Sequence, residues 1–486
     1  MASWSGTTRR QALTGAGAAA LGATAFAAPR AEAAGRVAFP AGRPILIRHA
    51  TVVTMDRGVL TDTDVLVEGE RIKAVGRRLT APATVIEADG GLLVPGFVDT
   101  HRHMWQTSLR GVGADWTLGN YARWMLEKWG PLFRPEDVYA ANHLGMAEAV
   151  NDGVTTVTDW SHGLRTPEHA EAAVDALFSV PGRARFAYGN AFAPDQSWVT
   201  DGRVDQILRG RFDGRPDQLV TMQLALEASD TEDGRAALRF ARDRNLPVTS
   251  HAGVFGFSGD QQIRFLDEFG ALTPSLTLVH GGSLSDDSYR RIAAGGAYLS
   301  VAAESELSAG QGYPPTAKAR EFGIPVSLSM DTVVWWSGDM FSAMRATLGA
   351  DRGLAHLRAH EAGHAVADNA LRASDVLEYA TLGGARALGL DSLIGSVTVG
   401  KRADLVLLRT DTVAMTPTHN PAGHLVFQAG RGDVDTVLVN GRVLKHRGEL
   451  TGVDLGRARR LVRESFAYLR SRIPDAEWEA ALNPPR

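Results

Sequence analysis

The sequence predicts an α/β fold: a (β/α)8 TIM barrel with a composite β-sandwich domain formed by the N- and C-terminal segments. In the middle of the chain, short apolar strands alternate with helical stretches, which is typical of parallel strands joined by crossover helices. Toward both ends, over residues 44–94 and 396–450, strand-like alternation recurs with turn signals such as Asn440-Gly441. We therefore expect the two end segments to build one β-domain together.

The barrel is assigned to residues 95–390, where eight strand candidates follow one another. They are predicted to end near Thr100, Trp160, Phe192, Glu227, His251, His280, Glu304 and Asp331. Helices are predicted between them, for example over Pro167–Ser179 and Gly234–Arg244. Eight such strand–helix units fit a TIM barrel with insertions. A polar helix is predicted to end the chain, over residues 455–482.

Composition sets the limits on function. With 486 residues and 44% hydrophobic content, the chain can bury a large core. A formal net charge of -4 gives no sign of a nucleic-acid partner. The absence of cysteine excludes disulfides, thiolate metal sites and cysteine nucleophiles.

The N-terminus has the features of an export signal. Arg9 and Arg10 precede an uncharged stretch of small residues, and Ala31-Glu32-Ala33 supplies a cleavage pattern. Paired arginines before a weakly apolar stretch are typical of a twin-arginine signal, here over residues 1–33. We expect an exported protein, and no membrane span in the mature chain, because no run of about 18 apolar residues follows.

Polar side chains cluster at the predicted strand ends, where TIM barrels build their active sites. His101 and His103 follow strand one, and alternate residues of a strand point to the same face, so the pair can hold one ion. His251, His280 and Asp331 end strands five, six and eight. Imidazole and carboxylate are good ligands for Zn, Fe or Mn, so the sequence predicts a site for one divalent metal ion. Of these metals, Zn is the first expectation.

Several local motifs carry a family resemblance. They are Gly96-Phe97-Val98-Asp99-Thr100-His101-Arg102-His103, Leu109-Arg110-Gly111, Leu278-Val279-His280-Gly281, Gly383-Gly384-Ala385-Arg386-Ala387-Leu388-Gly389 and Gly400-Lys401-Arg402-Ala403-Asp404-Leu405-Val406. With them the sequence resembles the metal-dependent amidohydrolase superfamily. Within it, the likeness is to the branch of triazine hydrolases and of adenosine-type, thioadenosine-type and cytosine deaminases. The resemblance covers most of residues 44–446.

The resemblance implies a metal-dependent hydrolase of non-peptide carbon–nitrogen bonds in a small cyclic compound, with an aminohydrolase of a heterocyclic amine as the leading expectation. It implies one metal ion held by His101, His103, His251 and Asp331. Asp331 would also take a proton from the attacking water, while His280 would orient that water without binding the metal. Dimers are common among the resembling enzymes, so a homodimer is a further expectation.

The chain departs from this family after His251. The deaminases carry a glutamate three residues after the strand-five histidine as a proton shuttle, whereas this chain has Val254 there. Glu304, a candidate catalytic residue, or Glu227 could substitute for it. The alternative function is hydrolysis of a cyclic amide, an imidazolone-like compound or a dipeptide, with either one metal or two metals bridged by Glu227. A non-catalytic binding protein is a third class, against which the full ligand set argues.

Two further predictions concern the substrate and a competing metal motif. Trp105 can stack a flat ring and Gln106 can hydrogen-bond its nitrogens, so both are expected to bind the substrate. His360-Glu361-Ala362-Gly363-His364 matches the H-E-x-x-H signature of zinc proteases. Gly363 weakens a helix and the segment follows the eighth strand, so we expect a solvated loop or helix start there.

Overall fold

The computed structural model describes residues 39–212, 214 and 218–484. The predicted export signal lies outside these residues. Within the described part of the chain, no helix has both the length and the apolar character that crossing a bilayer requires.

Two sheets organise the described residues. The strands of the first segment are β1 (Ile45–Val53), β2 (Val59–Glu68), β3 (Arg71–Gly76), β4 (Thr84–Glu87) and β5 (Leu92–Pro95). The barrel strands are β6 (Phe97–Arg102), β7 (Val154–Ser161), β8 (Arg183–Tyr188), β9 (Val220–Ala225), β10 (Val248–Ala252), β11 (Leu276–His280), β12 (Tyr298–Val301) and β13 (Val326–Leu328). The last segment adds β14 (Leu405–Leu408), β15 (Val434–Val439), β16 (Arg442–His446) and β17 (Glu449–Leu450).

The barrel strands β6 to β13 pair in parallel, in chain order, which confirms the predicted fold class. The seam between the first and last strands closes next to the predicted site. Asp331 N–H donates to the His101 carbonyl (3.0 Å), and His103 N–H donates to the Asp331 carbonyl (2.8 Å). Strands such as β7, β8 and β11 are buried at every residue, because helices cover the outside while side chains fill the inside.

Helices connect the barrel strands and cover them. Their bounds are Pro135–Asn151, Pro167–Ser179, Arg203–Arg211, Glu232–Asp243, Asp260–Glu268, Asp286–Gly295, Ala303–Ala309, Thr316–Phe322, Met340–Glu361, Ala373–Glu378 and Gly384–Ala387. Their starts follow capping chemistry. Pro135 and Pro167 are the first residues of their helices, where a backbone N–H is not needed. The side chains of Thr231 and Asp339 accept hydrogen bonds from backbone N–H groups in the first turn of the helices that follow them.

The composite β-domain is built from both ends of the chain. β14 pairs antiparallel with β5 from the first segment, in a register that sets Leu405 opposite Pro95, and with β15 on its other side. The strand order is β17-β16-β15-β14-β5-β1-β2-β3, with β4 paired to β1 in parallel. These strands form one continuous mixed sheet. Two helices follow it, Leu455–Arg472 and Asp475–Leu482, because Pro474 interrupts the single helix predicted for 455–482.

Several predicted strand ends were wrong by two or more residues. Strand three ends at Tyr188, not Phe192, and strand four ends at Ala225, two residues before Glu227. Strand seven ends at Val301, so Glu304 belongs to the following helix. Strand eight ends at Leu328, three residues before Asp331. After each strand, polar and small residues continue the strand-like sequence alternation although the hydrogen-bonded ladder has ended. The sequence pattern alone therefore could not locate these strand ends.

Candidate metal site and catalytic pocket

Four histidines and one aspartate converge at the C-terminal end of the barrel. Nε2 of His101 and Nε2 of His103 lie 3.4 and 3.3 Å from the same oxygen, Oδ1 of Asp331. The rings of His101 and His251 have centroids 5.0 Å apart, and His280 stacks on His251 at 5.6 Å. Ligand atoms of His101, His103 and Asp331, and those of His101, His251 and His280, come within 4.8 Å of one another.

This cluster fits a divalent cation. Both ring nitrogens of His101 are buried and have no hydrogen-bond partner, an arrangement that costs free energy unless a ligand binds them. Two ligand atoms that each lie about 2.1 Å from a tetrahedral ion are roughly 3.4 Å apart, which is the spacing of the two histidine nitrogens from Asp331. The donors are nitrogen and oxygen, as zinc, iron and manganese accept.

Neighbouring groups fix which nitrogen each ring presents. His103 Nδ1 donates to the Trp160 carbonyl (3.1 Å), so its Nε2 lone pair faces Asp331. His251 Nδ1 lies 2.6 Å from Oε1 of Glu227, and its ring stacks on Trp160 at 4.0 Å between centroids. Such outer contacts orient metal-binding imidazoles and raise their basicity.

The backbone is unusual where two of these residues leave their strands. His280 has φ of +78° and Asp331 has φ of +58°, both in the left-handed region that side-chain-bearing residues rarely adopt. Such a conformation costs of order 1–3 kcal/mol, so it persists where the surroundings over-determine it. Here it turns the two side chains into the barrel mouth.

The electrostatics favour neutral imidazoles at His101 and His103 beside an ionised Asp331, whereas the charge of Glu227 outweighs burial and raises the pKa of His251. Burial lowers the pKa of His101 to about 3, and it also holds the pKa of His103 well below its usual value, helped by repulsion from His162. Burial alone would raise the pKa of Asp331, but the close approach of His101 Nε2 (3.4 Å) and the charges of the surrounding histidines hold it well below its usual range. Neutral imidazole and ionised carboxylate are the forms that bind metal.

A cavity of about 370 Å³ opens above this cluster. Its floor carries His103, His251, His280 and Asp331, and Glu227 lies on its wall. The remaining lining is mostly apolar and aromatic: Leu118, Tyr121, Ala122, Leu126, His162, Ala191, Val254, Phe257, Ser258, Gln311 and Trp335. Four of these come from residues 118–126, so the segment after the H-x-H motif covers the site.

The structure places the predicted substrate residues behind this lining. Trp105 is fully buried, packs edge-on against Phe133, and donates to His162 Nδ1 at 3.4 Å. Gln106 is also fully buried; it donates to the Tyr121 hydroxyl (2.5 Å) and accepts from the Thr332 hydroxyl (2.6 Å). Neither lines the cavity. They support Tyr121 and His162, which do.

The candidate acid Glu304 also lies away from the cavity. Since strand seven ends early, Glu304 sits in the first turn of the Ala303–Ala309 helix, where its carboxylate accepts from Ser337 Oγ (3.3 Å). Glu306, two residues on, faces the site instead, with Oε1 3.3 Å from His280 Nδ1. Sequence reasoning missed Glu306 because a strand prediction through Glu304 gives the wrong periodicity for this turn.

The H-E-x-x-H segment is far from metal-site geometry. His360 and Glu361 end the long Met340–Glu361 helix, so the expected loop or helix start is a helix end. His364 lies beyond Gly363, whose φ of +78° ends the helix. All three polar residues are exposed. Among the described residues, neither group of side chains with metal-binding spacing includes them.

The model of the amidohydrolase family matches residues 92–444. This chain belongs to the amidohydrolase family. It is 30% identical over 457 residues to the 5-methylthioadenosine/S-adenosylhomocysteine deaminase of Natronomonas pharaonis, covering 89% of this chain and 97% of that one. It is also 30% identical over 415 residues to the 5'-deoxyadenosine deaminase of Methanothermobacter thermautotrophicus, covering 82% and 92%.

Solved structures of amidohydrolases share the fold. An adenosine deaminase from Xanthomonas campestris with bound zinc gives a TM-score of 0.76 at 25% identity, covering 88% of this chain and 98% of that one. The atrazine chlorohydrolase of Arthrobacter aurescens, in complex with zinc, gives 0.76 at 22% identity, covering 87% and 100%. The predicted family is confirmed, and this amidohydrolase is a metal-dependent hydrolase of carbon–nitrogen bonds other than peptide bonds.

Proposed function

We propose that this amidohydrolase removes an exocyclic amino group from a flat heterocycle and releases ammonia, with zinc as its metal. The observation that carries the proposal is the cluster of His101, His103, His251 and Asp331, of which the last three line a mostly apolar cavity of about 370 Å³. Relatives named as deaminases of adenosine-type compounds support the substrate class. The balanced reaction converts one heterocyclic amine and one water into one hydroxy or oxo heterocycle and one ammonia.

Each residue of the site has a role in this reaction. His101, His103, His251 and Asp331 would hold a divalent ion, which would supply Lewis acidity and lower the pKa of a bound water. Asp331 accepts a proton from the attacking water, and His280 orients that water from the cavity floor. A carboxyl group must then protonate the leaving amine, because an unprotonated amide ion is a very poor leaving group.

Glu227 is the carboxylate we propose for that step. The resembling deaminases place a glutamate three residues after the strand-five histidine, and Val254 lines the cavity there instead. Glu227 lies on the cavity wall and contacts His251, a proposed ligand, at 2.6 Å. Its side chain is 63% exposed, which leaves the carboxylate free to meet a bound substrate.

The charge around the cavity favours a substrate without an anionic group. A second chamber of about 730 Å³ adjoins the first and shares five lining residues with it: His162, Ala191, Glu227, Phe257 and Ser258. Asp195, Asp230 and Asp233 also line this chamber, and among the described residues that line either chamber none is lysine or arginine. A carboxylate or phosphate on the substrate would meet like charge there, so we propose a neutral or cationic ring amine.

An ammonia-release assay tests the proposal. The zinc-loaded protein is mixed with aminated purines, pyrimidines and triazines, and ammonia and the ring product are both measured. Equal amounts of ammonia and of oxo product are expected. Loss of the ring's ultraviolet absorbance with no free ammonia would instead show ring opening.

Ring opening is the second candidate, and Val254 favours it. The resembling deaminases carry their shuttle glutamate where this chain has Val254, so a cyclic amide is the alternative substrate. Its ring nitrogen would still take up a proton as the ring opens, but it would stay in the product instead of leaving as ammonia. The two-metal form of this alternative would need Glu227 as a bridge. Within the described residues, however, Glu227 belongs to neither group with metal-binding spacing, so we propose a single ion.

Export and self-association are separate proposals. Arg9, Arg10 and the Ala31-Glu32-Ala33 cleavage pattern support a twin-arginine signal. Replacing both arginines by lysine should leave unprocessed protein in the cytoplasm, whereas unchanged processing would contradict the proposal. The family resemblance supports a homodimer, which sedimentation velocity would detect as a species of twice the 52.0 kDa chain mass.

A further inference from the structure

The first turn of the Ala303–Ala309 helix lies behind the proposed metal site and contacts two of its residues. Ser305 Oγ donates to Oδ2 of Asp331, the oxygen opposite the one that faces His101 and His103. The next residue, Glu306, places Oε1 3.3 Å from Nδ1 of His280. Both side chains are 1% exposed, so these bonds are sheltered from solvent.

A backbone bond fixes the direction of the Glu306–His280 contact. Oε1 of Glu306 also accepts the N–H of Ala302 at 2.9 Å. A backbone N–H can only donate, so Oε1 is an acceptor, and any proton on this carboxyl group would sit on the other oxygen. Nδ1 of His280 must therefore carry a hydrogen and donate it to Oε1. This direction holds for a carboxylate and for a neutral carboxyl group whose carbonyl oxygen is Oε1, because a hydroxyl oxygen is a poor acceptor for the Ala302 N–H.

The consequence appears at the other side of the ring. A neutral imidazole with its hydrogen on Nδ1 presents a lone pair at Nε2, and His280 lines the cavity. In the opposite tautomer, the hydrogen on Nε2 would point into the cavity as a donor. The Nδ1 lone pair would then face the lone pairs of Glu306 Oε1, which is repulsive. We propose that Glu306 is a positioning residue that fixes His280 as an acceptor for the attacking water, an inference that rests on the proposed function.

Two other features show that the ring needs such support. His280 ends strand β11 with φ of +78°, and Gly281 follows with φ of +89°, so no regular ladder continues beyond the ring. Its flat neighbour His251 stacks parallel to it, with 11° between the ring planes, and stacking does not select a tautomer. In the described structure, Glu306 is the group whose hydrogen bond selects it.

The first arm of the test reads the tautomer directly. Zinc-loaded protein labelled with ¹⁵N-histidine is examined by NMR, and the His280 signals are identified by their loss in His280→Gln. The expected wild-type pattern is a protonated Nδ1 and an unprotonated Nε2. Glu306→Ala should shift His280 toward a mixture of tautomers, and Glu306→Gln should keep the wild-type pattern, because its amide oxygen can accept both bonds. An unchanged pattern in Glu306→Ala would overturn the proposal.

The second arm separates positioning from folding. Glu306→Ala should lower kcat about 10- to 100-fold with KM within about twofold and zinc content unchanged, as expected for a group that acts through its neighbour. Glu306→Gln should restore most of the activity. Glu378→Ala is the control, since Glu378 pairs with Arg386 and contacts no site residue. If the alanine variant does not fold, Glu306→Met, similar in length and without an acceptor, carries the same prediction.

The outcomes distinguish this inference from the proposed function. Loss of zinc in parallel with activity in Glu306→Ala would overturn the positioning role, because Glu306 would then be supporting a ligand. A wild-type enzyme that releases no ammonia would contradict the proposed reaction, yet the tautomer measurement needs no substrate and would still decide whether Glu306 controls the ring.

Discussion

Two regions of this amidohydrolase contain histidines close to an acidic residue, and they have opposite structures. At the barrel mouth, four histidines from three strands and Asp331 from the seam meet in one cluster, in which His251 is partly exposed and the others are buried: His101, His103, His251 and His280. At the end of the Met340–Glu361 helix, the compact motif His360–His364 is exposed, and a glycine turn separates its two histidines. Among the residues that the structure describes, the motif that is contiguous in sequence is the one whose side chains form no group with metal-binding spacing.

In this protein, the order of the barrel strands predicts the metal site better than the short H-E-x-x-H motif does. Parallel strands bring their C-terminal ends to one rim, so residues up to 230 positions apart become neighbours there, as Asp331 and His101 do. The H-E-x-x-H signature needs an unbroken helix to bring its histidines to one face, and Gly363 ends the helix before the second one. Substitutions of similar residues at the barrel mouth and away from it test this contrast.

The largest effect is expected at the seam of the barrel. Asp331→Asn should lower kcat/KM by about three orders of magnitude or more, since it removes a proposed ligand and proton acceptor worth several kcal/mol. Steady-state ammonia release measures it. Activity within tenfold of wild type would mean that the cluster is not the reaction centre.

The next pair compares two glutamates. Glu227 lies on the cavity wall, whereas Glu304 contacts Ser337 away from it. Glu227→Gln should lower kcat by about 100-fold or more, the range of general acid–base catalysis, and Glu304→Gln should change it by less than about threefold. The reverse order would restore Glu304 as the acid that replaces the missing glutamate.

A pair of aromatic residues gives a smaller effect. Trp105 is buried behind the site, so Trp105→Phe should lower the free energy of unfolding by about 1–3 kcal/mol and leave the KM of the folded enzyme near wild type. Tyr121 lines the cavity, so Tyr121→Leu should raise KM about three- to tenfold. Urea unfolding and initial-rate kinetics provide the two readouts. A raised KM in Trp105→Phe with normal stability would place Trp105 against the substrate after all.

The pH dependence of stability gives the smallest effect. Burial, with repulsion from Asp339, raises the pKa of Glu304 from 4.5 to about 7. The folded protein then holds this proton more tightly than the unfolded chain, so the stability that protonated Glu304 contributes is lost as pH rises from about 4.5 through 7. Glu304→Gln should therefore be more stable than wild type at pH 8, by about 1–3 kcal/mol, and similar to it at pH 5. Equal stability at both pH values would contradict the shift.

The sequence predicted the fold and the five converging residues because both depend on periodicity and on the barrel rule. Eight strand–helix units and polar residues near strand ends are visible without knowing where each strand stops. The fine assignment at strand seven depended on that stop. Ending the strand at Val301 turns the next residues into a helix, which moves Glu304 out of the site and Glu306 into contact with His280.

The covering segment was harder to interpret for a different reason. Trp105 and Gln106 directly follow the H-x-H motif, yet the short helix Met104–Leu109 buries all of its side chains. Residues 118–126 then return over the cavity and present Leu118, Tyr121 and Leu126 to it. Nearness in sequence to a metal ligand does not specify which side of a loop faces the site.

Metal content tests the central claim most directly. Elemental analysis of the purified protein should find about one divalent ion per chain, as four ligands around one position imply. His251→Ala should lose most of it, while His360→Ala combined with His364→Ala should keep it in full. Retention of the ion in His251→Ala together with its loss in the double variant would contradict the account, because the metal would then lie at the helix end and not at the mouth of the barrel.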